Sequence, residues 1–74
     1  MRKISNYIEY ELNIFRNECN FSDEELLYFN LKAKGWSNVR ISTEMNASTA
    51  TVTRLGQSVS SKIEKVTKLH SDEM

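Results

Sequence analysis

The chain has no proline, two glycines, one cysteine and no net formal charge across its 74 residues. With helix breakers this scarce, long helices are favoured over a turn-rich β fold. The lone cysteine, Cys19, excludes an internal disulfide. A small domain without disulfides fits the cytosol, and Cys19 reads as a small core residue. No run is long or apolar enough to span a membrane, and the start lacks the apolar stretch of a secretory signal. A cytoplasmic location without membrane association is therefore expected. The glycosylation patterns at Asn20-Phe-Ser22 and Asn46-Ala-Ser48 then read as chance matches. A glycine-rich phosphate loop and a nucleophile–base–acid set are missing too, and His70 with Cys19 is too little for a metal site. No enzyme, cofactor or metal is expected.

What is present is an ordinary globular mixture, 39% hydrophobic and 27% charged, which sets it apart from disordered chains. One domain spanning 1–74 is expected. It buries a modest core, so a partner subunit would help its stability. The charge is unevenly spread. Residues 1–30 hold Arg2, Lys3 and Arg16 against six acids, whereas residues 31–69 hold seven lysines and arginines against Glu44 and Glu64. That split suggests a second half that faces an anion. Two separately solvated helix faces would produce it as well.

Hydrophobic spacing predicts four helices, an all-α domain. Ile4, Ile8, Leu12, Phe15 and Cys19 step by three or four, which predicts a first helix within 1–20, with Tyr7, Tyr10 and Ile14 on its flank. Ser22 and Glu25 form a capping-box pair, with Phe21 and Leu26 at staple spacing. Asp23, Glu24 and Glu25 then suit the positive end of the helix dipole and have a structural role. Leu27, Tyr28 and Leu31 supply the buried stripe of this second helix, which Gly35 stops. A short third helix begins at Ser37, with Trp36 and Ile41 at staple spacing and Ile41 and Met45 as its apolar face. Staple or core duty for Trp36 is favoured over a base-stacking platform. Asn46 tolerates a positive φ, and Ser48 is a good cap for a fourth helix reaching about Leu69, with His70 to Met74 fraying. Its seam is Val52, Leu55, Val59, Ile63 and Val66. Gly56 interrupts it and marks a bend or a close approach. Residues 21–69 thus form a tri-helical core with a long last helix.

From Ser37 to Ile63 the pattern is short helix, tight turn, longer helix, the arrangement of a helix-turn-helix. Ser42, Ala47 and Ala50 are small where the two helices would approach. With the seam turned inward, the outward side carries Ala50, Thr53, Arg54, Gln57 and Ser61, with Thr49 in the exposed first turn. Arg54 suits a forked contact to guanine, Gln57 suits adenine, and threonine or alanine methyls suit thymine. Ser37, Asn38, Ser48 and Thr49 stand at helix starts, where phosphates are met. Arg40, Lys32, Lys34 and Lys62 would add to phosphate neutralisation.

Residues 21–63 resemble the LuxR-type DNA-binding domain of bacterial transcription regulators. The resemblance is carried by Ala33-x-Gly35-x-Ser37-Asn38, by Ile41 and Met45, and by Ser48-Thr-Ala-Thr51-Val52. It implies that the helix from Ser48 enters the major groove and that a further helix serves dimerisation. Asn46 stands where that family usually has glycine, and Gly56 and Gln57 stand where basic residues are common. A helix precedes the motif, and the family's fourth helix is not evident. The expectation is a sequence-specific, double-stranded-DNA-binding transcription regulator, homodimeric through its N-terminal helix, its C-terminal helix or both. The alternative is a protein-interaction module on the same scaffold, binding another regulator, RNA polymerase or a nuclease. Zero net charge favours that alternative.

Overall fold

The computed structural model describes residues 4–72, with side chains as far as Leu69. Arg2 and Lys3, and Glu73 and Met74 of the expected fraying end, lie outside the described residues. A single 3-10 turn, Ile4–Asn6, precedes four helices: α1 (Glu9–Glu18), α2 (Asp23–Ala33), α3 (Asn38–Met45) and α4 (Thr49–Asp72). The described residues contain no strand. The all-α class and the helix number agree with the hydrophobic spacing.

Each boundary has a local cause. Ser22 caps α2: its hydroxyl accepts from the Glu25 N–H at 3.3 Å, and Glu25 Oε1 accepts from the Ser22 N–H at 2.9 Å. Gly35, at φ +88°, takes the chain out of α2. Ser37 Oγ accepts from the Arg40 N–H at 3.2 Å and starts α3. Asn46 ends α3 in the left-handed region, at φ 54° and ψ 44°. Two residues later Ser48 Oγ accepts from the Thr51 N–H at 3.1 Å and α4 begins. Asn20 repeats the left-handed device between α1 and α2, again at φ 54°.

The first segment departs from the single helix expected over Ile4 to Cys19. The chain breaks at Tyr7 and Ile8, where Ile8 is extended (φ −78°, ψ 164°) and caps α1. The Glu11 carboxylate accepts from the Ile8 N–H at 3.1 Å, so a polar cap wins over the apolar period. Ile8 is consequently 64% exposed rather than part of the buried stripe, and Tyr10 is 73% exposed. Ile4, Leu12, Phe15 and Cys19 keep their inward places. In α2, Leu27 is 44% exposed and the neighbouring Phe29 is fully buried in its stead. Phe21 lies 5.1 Å from the Phe29 ring, and Phe15 meets Phe29 edge-on at 6.3 Å. Helix α4 runs through Asp72, beyond the expected Leu69, so residues 70–72 are helical rather than frayed.

The core lies between α4 and the other elements. Ile41, Val52, Val59 and Ile63 join Phe29 with no exposed surface, and Leu55 and Met45 pack at the margin. Cys19 is buried, and burial raises its thiol pKa to about 11, with the Glu18 carboxylate adding to the effect. At neutral pH the thiol is protonated and covered, so it is expected to react with a disulfide reagent only as fast as the domain opens. Native and denatured labelling rates of equal size would contradict this.

Candidate nucleic-acid interface

Helices α3 and α4, joined through Asn46, Ala47 and Ser48, present the residues singled out from the sequence. The inward seam of α4 leaves Thr49, Ala50, Thr53, Arg54, Gln57 and Ser61 exposed on the other side. Arg54 and Gln57 make no hydrogen bond or ion pair among the described residues, so their polar ends are unoccupied. Ala50 is exposed, which makes it part of this outward side and not of the contact between the helices. Ser42 is buried, its hydroxyl donating to the Val39 carbonyl at 2.7 Å, and Ala47 is half-buried.

The start of α3 lies beside this side of α4. Ser37 and Arg40 are exposed, and Asn38 is half-buried. Buried Tyr28 of α2 donates its hydroxyl to Asn38 Oδ1 at 3.3 Å, which leaves the carboxamide nitrogen to face other partners. Burial raises the Tyr28 pKa, so the hydroxyl remains a donor at neutral pH. The same ring explains Gly56. A Cβ there would stand 2.6 Å from the Tyr28 hydroxyl oxygen. Of the two expectations for Gly56, close approach is what the packing shows. Between these elements runs a shallow groove of about 430 Å³ lined by Tyr28, Asn38, Thr53, Gly56, Gln57, Ser60, Ser61 and Glu64. Glu64 puts a negative charge at its lower end.

The basic groups divide. Lys34, Arg40 and Arg54 are exposed and Lys32 is half-buried. Lys62, expected as a free cation for phosphate, is engaged elsewhere. Its ammonium donates to Glu25 Oε1 at 2.6 Å and to the Asn20 carbonyl at 3.2 Å. Ser58 donates to the other Glu25 oxygen. This partly buried knot ties α2 to α4, and its hydrogen bonds hold the Glu25 pKa at about 2. Sequence spacing had no means of showing it, because Ser58 and Lys62 lie 33 and 37 residues from Glu25. Ser48 and Thr51 share a 3.0 Å hydroxyl contact, so part of the Ser48 capacity is spent locally.

No cluster able to hold a metal ion occurs among the described residues, and no helix there is long and apolar enough to cross a membrane. Comparison with protein-family models, with curated proteins and with solved structures finds no match to this chain.

Proposed function

We propose that the chain is a sequence-specific, double-stranded-DNA-binding transcription regulator built on a LuxR-type helix-turn-helix. The first turns of α4 read base edges in the major groove, and α3 braces the phosphate backbone. One observation carries this reading: an exposed polar side of α4 with Arg54 and Gln57 both unoccupied, directly beyond a tight turn from a short helix. Arg54 forks to guanine, Gln57 pairs with adenine, and Thr49, Ala50 and Thr53 offer methyl groups to thymine. Ser37, Asn38, Arg40, Ser48 and Thr49 meet phosphates.

Selection of bound fragments from random duplex DNA tests the reading. A defined site is expected, with affinity falling steeply as salt rises. Arg54→Ala is expected to weaken binding to that site about tenfold and to leave random duplex much less affected. Equal losses on both would remove Arg54 from base reading, and no selected site would remove the function. The proposed assembly is a homodimer using α1, the far end of α4 or both, motivated by Ile8, Tyr10 and Leu69, which are 64%, 73% and 65% exposed. A palindromic site and a dimeric mass in light scattering would accompany it. The rival, a protein-binding module, has in its favour Val39, a valine 67% exposed on α3. It predicts retention of a protein partner at salt concentrations that abolish DNA binding.

A further inference from the structure

We infer that Trp36 is a positioning residue of this interface: it holds the Arg40 guanidinium in a stacked pose from which Arg40 grips a phosphate of the duplex. The inference rests on the DNA-binding reading above. The Arg40 Cζ lies 3.9 Å from the centre of the Trp36 ring, face contact. Among the described residues two other cations lie near rings, Arg16 at 5.7 Å from Phe29 and Lys62 at 6.0 Å from Phe21. Both of those also bond to carboxylates, Arg16 to Glu9 and Lys62 to Glu25. The Arg40 side chain has no hydrogen bond or ion pair among the described residues. Stacking uses the face of a guanidinium and leaves its five N–H donors around the edge, the geometry that matches a phosphate.

Two further facts separate this pair from a stabilising decoration. Trp36 is half-buried and packed against the core, so the platform under Arg40 is anchored. The third helical position of α1 and α2 is a glutamate, Glu11 or Glu25, that bonds back to its cap N–H; in α3 it is Arg40. A cation in a first turn opposes the helix dipole, so helix stability does not account for it. An arginine ordered before binding loses less side-chain freedom on meeting its partner.

Trp36 is the only tryptophan, so emission of the free chain reports the stack without DNA. Arg40→Ala is expected to change that emission, and an unchanged spectrum would overturn the stacked pose. On random duplex, Arg40→Lys keeps the charge but loses the flat stack and the fork. It is expected to weaken binding about two- to five-fold with an unchanged salt slope. Arg40→Ala is expected to weaken binding further and to lower the slope by about 1. Trp36→Leu should match Arg40→Lys and add nothing to Arg40→Ala. Should Trp36→Leu fail to fold by circular dichroism, Trp36→Phe takes its place, and the exposed Arg40 variants do not depend on it. Wild-type binding by Arg40→Lys, or multiplying losses in the double variant, would overturn the inference while wild-type and Arg54→Ala binding leave the DNA reading intact. Failure of the wild type to bind any duplex would remove both.

Discussion

Glu25→Ala is expected to destabilise the domain by about 3 kcal/mol, enough to unfold much of a chain this small. One carboxylate, 8% exposed, accepts from the Ser22 N–H, the Ser58 hydroxyl and the Lys62 ammonium. Its loss removes the partner of all three, leaves the half-buried Ser58 hydroxyl without its acceptor, and removes half of the α2 capping box. Lys62 is 34% exposed and turns to water when its partner goes, which keeps the loss at the low end for a broken buried pair. The acid dependence has a definite sign. Hydrogen bonds from Lys62, Ser22 and Ser58 lower the Glu25 pKa from an ordinary 4.5 to about 2. A carboxylate with a depressed folded pKa stabilises above its unfolded value and loses that contribution as pH falls through the folded one. About 2 kcal/mol is therefore expected to vanish between roughly pH 5 and pH 2, discounted for the solvent that reaches Lys62. Urea titrations of wild type and Glu25→Gln across this range measure it. Parallel stability curves would show that Glu25 is not the group whose protonation matters.

Gly56→Ala is expected to cost about 2 kcal/mol, although alanine in an ordinary helix interior gains about 1 kcal/mol over glycine. The sign reverses because the new methyl would stand 2.6 Å from the Tyr28 hydroxyl oxygen and 3.2 Å from its ring carbon Cζ. Tyr28 is only 4% exposed and its hydroxyl is bonded to Asn38, so moving the ring aside costs packing and that bond. In a Tyr28→Phe background the nearest atom is gone, and the propensity gain should offset most of the remaining crowding. A thermal-melt cycle of the two single variants and the double variant checks this. Additive losses would mean that the Tyr28 contact is not what keeps glycine at position 56.

Most of the backbone was legible because its punctuation is local. Ser22, Gly35, Ser37, Asn46 and Ser48 each stop or start a helix through atoms within four residues. The seam of α4 was legible because one period runs through it. The errors fall where local rules compete or do not reach. Ile8 satisfies the apolar period, but a glutamate three residues on makes it a cap. Phe29 lies one residue off the expected stripe of α2, because its ring is drawn between Phe15 and Phe21. Lys62 reads as a surface cation until α2 is folded against it. At the interface, the outward set on α4 followed from helix geometry alone. The restraint on Asn38 did not, since the Tyr28 hydroxyl reaches it from ten residues away, and the Trp36–Arg40 stack, though only four residues apart, depends on side-chain rotamers that spacing does not give.

Helix α4 runs without interruption for 24 residues from Thr49, so Arg54 and Leu69 belong to one stiff lever. Each residue inserted between them would swing one end by about 100° around the axis and push it about 1.5 Å along. Whatever grips the far end is thereby held in a fixed rotational phase with the end we propose to meet base edges. The distance counted in residues along this helix sets which way the two ends point relative to each other.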